Sequence, residues 1–124
     1  MRLLLDVHTF IWWVTDSPLL SRRAHQAIVE PANDILIGIG CVWELVIKRS
    51  LGKLRFPFDL EAVIQDHDFD VLHVTFAHLR ALDGLPQLHR DPFDRLLIAQ
   101  SLAEGLPIVT NDDAFAAYGA ALSW

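Results

Sequence analysis

The sequence is short of several things, and each shortage removes a class of protein. It has one cysteine, Cys41, set in an apolar run. That excludes an internal disulfide and leaves a thiolate metal site without enough ligands, so a reducing cytoplasm is the expected setting. The longest apolar stretch, Ile35 to Trp43, falls far short of the roughly 20 residues that a membrane-spanning helix needs. Met1 to Leu5 opens like a signal peptide, but Asp6 and His8 interrupt the apolar region, so no membrane association is expected. Six glycines and six prolines in 124 residues leave no room for linker or collagen-like tracts. Positive charge is also scarce. Ten basic residues face 16 acidic ones, for a net charge of −6, which argues against a duplex-DNA binder.

What remains is a composition that folds. Hydrophobic residues make up 52% and charged residues 21%, too apolar for disorder. The length suits one domain over residues 1–124, burying about two thirds of the surface of its unfolded chain. Among the acids, 12 are Asp and 4 are Glu. Asp is the poorer helix former and is favoured at caps, turns and hard-metal sites, so the positions of the aspartates matter.

Leu3-Leu4-Leu5 reads as a short buried strand, and Phe10 to Val14 as the start of an apolar helix. Ser21 caps a second helix that runs to about Val29. Ile35-Leu36-Ile37 is a strand whose unbroken apolar run suits a parallel sheet covered on both faces. Gly38, Gly40 and Cys41 lead into a helix that carries Trp43, Glu44 and Lys48 and stops near Gly52. A helix over 58–67 capped by Asp59, a strand over 71–74 and a short helix from Thr75 to Leu82 follow. The strongest start and stop signals frame the next helix, with Asp91 at the N-cap, Pro92 at its first position, and Gly105 and Pro107 beyond its end. A fourth strand spans 106–110, and 120–123 supply a last edge strand. The whole predicts an α/β/α sandwich around a mostly parallel sheet of four to five strands.

In that scheme Asp6 follows the first strand, Glu44 lies in the helix after the second, Asp94 in the first turn of the well-capped helix, and Asp112 after the fourth strand. The carboxyl ends of parallel strands and the adjoining helix N-termini share one edge, where ligand crevices form. Converging carboxylates repel one another unless a cation neutralises them. Mg²⁺ or Mn²⁺ meets that need and suits phosphodiester hydrolysis. Taken locally, Asp94 reads equally well as an acid stabilised by the helix dipole, and Asp91 as a plain cap. Only its place after a strand separates Asp112 from Asp113.

Four segments carry a family resemblance: Leu3-Leu4-Leu5-Asp6-Val7-His8, Val42-Trp43-Glu44-Leu45-Val46-Ile47-Lys48, His89-Arg90-Asp91-Pro92-Phe93-Asp94-Arg95-Leu96-Leu97-Ile98-Ala99-Gln100 and Val109-Thr110-Asn111-Asp112. In this order and spacing the chain resembles the PIN-domain ribonucleases of bacterial VapC-type toxins. The resemblance implies a metal-dependent endoribonuclease, inhibited by a small cognate antitoxin. It implies that Asp6, Glu44, Asp94 and Asp112 hold Mg²⁺ or Mn²⁺, and it is what selects Asp94 over Asp91. Thr110 fits a polar position of the family. Val7, Gly38 and Cys41 stand where hydroxyl residues are common, which implies fewer hydrogen bonds to the carboxylates and bears on rate and metal affinity.

Other features are weighed beside this set. Lys48, Arg49, Lys53 and Arg55, with Arg90 and Arg95 flanking the third segment, form local positive charge suited to RNA phosphates. His8 and His89 read as structural partners, and the acids around His67 as a solvated helix end. The apolar run Phe10 to Val14 is too long to bury entirely, which points to a homodimer or antitoxin surface. A haloacid-dehalogenase-like phosphatase would need a second acid where His8 stands. A receiver-like domain would need a lysine beyond Lys53. The remaining alternative is a Mg²⁺-binding regulatory or inactive domain of the same fold.

Overall fold

The computed structural model describes residues 1–88, 90–118 and 122–124. Five strands, β1 (Arg2–Leu5), β2 (Asp34–Gly38), β3 (Asp70–Leu72), β4 (Ile108–Val109) and β5 (Leu122–Ser123), form one sheet in the order β3-β2-β1-β4-β5. Every pairing is parallel. Successive residues of a strand face opposite sides of a sheet, yet Leu3, Leu4 and Leu5 are all buried, as are Ile35, Leu36 and Ile37. Both faces are therefore covered, as the unbroken apolar runs predict.

Among the described residues, six α-helices supply the cover: α1 (Val7–Val14), α2 (Arg22–Val29), α3 (Ile39–Ser50), α4 (Leu60–Asp66), α5 (Phe76–Asp83) and α6 (Pro92–Glu104). Their starts follow local chemistry. Ser21, Asp59 and Thr75 each accept a hydrogen bond from a backbone N–H in the first turn of the helix they precede. Asp91 accepts two, from Phe93 and Asp94, with Pro92 at the first helical position. At the other end of α6, Gly105 adopts φ 67°, a left-handed cap that a side chain would strain.

Several boundaries differ from the sequence reading. Helix α1 begins at Val7, not at Phe10, because Asp6 caps it directly and no polar loop intervenes. Strand β3 covers 70–72 and β4 only 108–109. A 3₁₀ turn over Asp113–Tyr118, unforeseen in the sequence, buries Phe115 and Tyr118. Of the predicted edge strand, Leu122–Ser123 pairs with β4, and Ala120 and Ala121 lie outside the described residues. The run from Phe10 to Val14 is also largely covered by its own chain. Phe10 is fully buried, Trp13 packs on His25, His67 and Phe69, and Trp12 packs on His8 and Trp124.

The chain runs outward through β1, β2 and β3, then returns to place β4 on the opposite side of β1. The change of direction falls between β1 and β4, and ligand crevices of parallel α/β sheets open beyond the carboxyl ends of strands at such a point.

Candidate functional site

Asp6 stands at that point. Its backbone N–H donates to the Val109 carbonyl oxygen at 3.4 Å, continuing the β1–β4 ladder by one step. The side chain is buried at 5% exposure, and both carboxylate oxygens are held. Oδ1 accepts from Thr9 N at 2.7 Å, and Oδ2 accepts from Thr110 Oγ1 at 2.5 Å. Thr110 Oγ1 in turn accepts from Asp112 N at 3.0 Å. One hydroxyl therefore joins the ends of β1 and β4. The Thr9 hydroxyl serves a different purpose, donating to Val109 O at 2.7 Å and pinning α1 to β4.

Glu44 lies in the second turn of α3 and is 4% exposed. A buried, unpaired carboxylate would be costly. Lys48, one turn further along, places Nζ 2.6 Å from Glu44 Oε2. That bond raises the Lys48 pKa above its ordinary value; burial opposes the rise, and the charges of Glu44, Asp91 and Asp94 reinforce it. Cys41, one turn before Glu44, ties the acids together. Its thiol is pushed far above the ordinary range by burial first, and then by the charges of Asp6, Glu44 and Asp94. Three acids from three segments thus act on one buried sulfur. Asp91 and Asp94 belong to the first turn of α6, and Asp91 is its cap.

Small residues let α3 meet α6. A Cβ on Gly40 would lie 2.8 Å from Leu96 Cδ2, and one on Gly38 would lie 2.9 Å from Gln100 Oε1. Both contacts are with the far ends of flexible side chains. Val7 is buried. Thr110 and the Thr9 backbone supply the hydrogen bonds to Asp6 that position 7 does not.

The four predicted acids are not equivalent. Asp6, Glu44 and Asp94 share the surroundings of Cys41, whereas Asp112 joins through its backbone N–H to Thr110. Its carboxylate Oδ1 accepts from Ala114 N at 3.0 Å at the start of the 3₁₀ turn. Among the described residues no three His, Cys, Asp or Glu side chains converge as a ready-made metal cage. The donor set still fits a hard divalent ion. It offers only carboxylate and hydroxyl oxygens, and it already carries one cation, the Lys48 ammonium. Mg²⁺ is commonly held by one or two carboxylates, with water and substrate phosphate completing its shell.

The basic residues sort differently from the sequence reading. Lys48 faces Glu44, and the exposed Arg49 donates to the Phe56 and Phe58 carbonyls at 3.1 and 2.8 Å, so both cations already have partners within the chain. The i, i+4 spacing of Glu44 and Lys48 was a signal for the pairing that the sequence reading passed over. Lys53, Arg55 and Arg90 are exposed. Arg95 donates to Pro86 O at 2.9 Å and to the Tyr118 hydroxyl at 3.4 Å. Arg90 and Arg95 line a cavity of about 360 Å³ with Leu82, Asp83, Gln87 and Pro92. Trp43, 60% exposed, meets Phe93 edge-on at 5.2 Å. His8 is exposed, and His89 lies outside the described residues. No helix among the described residues is long and apolar enough to cross a membrane.

Comparison with known proteins agrees with this architecture. Ribonuclease VapC22 of Mycobacterium tuberculosis is 27% identical over 112 residues, spanning 88% of this chain and 85% of that protein. The crystal structure of VapBC2 from Rickettsia felis, bound to a DNA fragment from its promoter, superposes with a TM-score of 0.74 at 14% identity. It covers 98% of this chain and 97% of that one. FitAcB from Neisseria gonorrhoeae superposes with a TM-score of 0.66 at 15% identity, covering 98% and 96% of the two chains. The sequence profile of the PIN domain matches residues 3–121, nearly the whole chain, and the protein belongs to the PIN domain family.

Proposed function

We propose that this chain is a Mg²⁺- or Mn²⁺-dependent endoribonuclease acting as the toxin of a toxin–antitoxin pair. The observation that carries the reading is a buried carboxylate, Asp6, held on both oxygens beyond the end of β1 at the β1–β4 switch point, with a second buried carboxylate, Glu44, on α3, in a PIN-domain chain whose relative is a ribonuclease.

Asp6, Glu44 and Asp94 are the residues that would hold the ion, with Asp112 at the rim. When bound, the ion neutralises charge at the phosphate and acidifies water beside it. The protein's part is to hold the carboxylates ready. Thr110 and the Thr9 N–H fix both oxygens of Asp6. Asp91 caps α6 and so sets the turn that carries Asp94. Arg90 and Arg95, on one cavity beside that turn, suit RNA phosphates, which supply affinity without reading sequence. A cytoplasmic setting and a single domain over residues 1–124 complete the reading.

The partner is a small antitoxin protein. A similar structure from Klebsiella pneumoniae is a toxin–antitoxin complex by name, with a TM-score of 0.59 at 16% identity over 90% of this chain and 87% of that one. A homodimer accompanies it. Phe76 and Leu79, 78% and 44% exposed and one turn apart on α5, offer apolar surface for such contacts.

The test incubates purified protein, free of antitoxin, with total RNA in Mn²⁺ or Mg²⁺, beside EDTA and an Asp6→Asn variant, and maps new RNA ends. Discrete ends that vanish in both controls establish metal-dependent endonuclease chemistry. Intact RNA from folded, metal-binding protein assigns the chain to a regulatory or inactive role.

A further inference from the structure

The chain contains only two lysines, Lys48 and Lys53, against eight arginines, and one of the two sits on the most buried glutamate. The side chain of Glu44 is 5% exposed and that of Lys48 41%. The pair is therefore asymmetric: the carboxylate is fixed inside, and the ammonium reaches it from the solvent side on a flexible stem. Lysine is a compact point charge on four methylenes, whereas an arginine would lock the carboxylate with a planar fork. Lys48 also feels Asp91 and Asp94. The acids around this cluster outnumber the one ammonium, so the cluster keeps an attraction for further positive charge.

We infer that Lys48 is a tethered counter-ion, occupying Glu44 in the metal-free protein and giving way to the divalent ion when it binds. The inference rests on the metal reading above and adds to it a device that sets the metal affinity of the site. In the absence of metal, Lys48 supplies the charge that a buried Glu44 requires. When a divalent ion arrives, the exposed stem lets the ammonium withdraw into water without disturbing α3. Because ion and ammonium oppose each other at one carboxylate, each lowers the other's occupancy by the same factor.

The experiment measures Mn²⁺ binding by isothermal titration calorimetry, and thermal unfolding with and without Mn²⁺, for the unmodified protein, Lys48→Met and Lys53→Met. Lys48→Met is expected to bind Mn²⁺ about tenfold more tightly, as for a typical coupling between sites. It is also expected to melt at lower temperature without metal and to gain more from added Mn²⁺ than the unmodified protein does. Lys53→Met, the same charge change at an exposed position, is expected to leave the affinity within about twofold, since exposed charges couple weakly. Equal or weaker binding by Lys48→Met, while the unmodified protein binds, overturns the role of Lys48 and leaves the metal reading standing. No Mn²⁺ binding by any of the three overturns both. If Lys48→Met is unfolded without metal, circular dichroism during a Mn²⁺ titration decides the matter: refolding supports the inference, and a chain still unfolded at concentrations that saturate the unmodified protein overturns it.

Discussion

Thr110 donates its hydroxyl to Asp6 across 104 positions of sequence and accepts the backbone N–H of Asp112 with the same oxygen. Leu5 and Val109 are register partners, so Asp6 and Thr110 are the next step of the same ladder, continued from main chain into side chain. A carboxylate made accessible at the end of a strand would otherwise turn freely, and here it is clamped on both oxygens.

Thr110→Val keeps the shape and removes the hydroxyl. It leaves Asp6 Oδ2 and Asp112 N without their shared partner in a buried place, at a cost of about 1–3 kcal/mol in urea-unfolding measurements. RNA cleavage is expected to fall by about 10–100-fold, as for partners that orient metal ligands. Thr110→Ser should recover most of both. A Thr110→Val protein with full activity would remove the clamp from the mechanism.

Asp91 and Asp94 separate by measurement. Asp91→Ala removes the acceptor for two first-turn N–H groups of α6 and should lower stability by about 1 kcal/mol. Asp94→Asn leaves that cap in place and should abolish cleavage. If Asp94→Asn cleaves normally, the third acid of the centre is misassigned.

Cys41 predicts a pH dependence. Burial, then the neighbouring acids, raises its folded pKa far above its ordinary value. In the unfolded chain the thiol loses its proton near its ordinary value, while the folded protein keeps it, so the folded state binds more protons at alkaline pH. Stability is thus fully present below about pH 9 and declines as pH rises beyond it. Cys41→Ala should flatten that decline in denaturant titrations. The folded protein should also resist thiol alkylation at pH 8 and react fully once unfolded. Rapid labelling of native protein would contradict the burial.

Arg90 is exposed and can be tested without disturbing packing. Arg90→Ala should leave the melting temperature unchanged, weaken RNA binding, and reduce the salt dependence of binding by about one phosphate contact. Arg95 is less clean, since its guanidinium also supports Pro86 and Tyr118. An unchanged salt slope in Arg90→Ala would take this cavity out of the RNA path.

Much of this was legible in the sequence where signals are local. Buried strands announced themselves as unbroken Leu and Ile runs, and α6 as an Asp-Pro start with a glycine stop. Asp6 was harder to place because it does two things at once: it caps α1, which moves the helix start three residues earlier, and it faces the switch point. Lys48 and Arg49 read as basic surface because their partners, the buried Glu44 and the 56–58 backbone that folds back beside α3, are set only by the packed fold. Asp112 lies beyond β4 beside Thr110, and no local pattern distinguishes a contribution through its N–H from one through its carboxylate. Gly38 read as a missing hydroxyl, and in the fold it faces the end of the Gln100 side chain, a proximity that no local pattern shows.

The first strand made is the central one, and its outer neighbour β4 comes from the end of the chain. On a translating ribosome, β1 and β2 can pair early, but Asp6 gains the hydroxyl that clamps it only after Thr110 has emerged and β4 has docked. Such long-range closure is slow and comes late in folding. A nascent or truncated chain ending before Thr110 therefore carries Asp6 without the hydroxyl that clamps it.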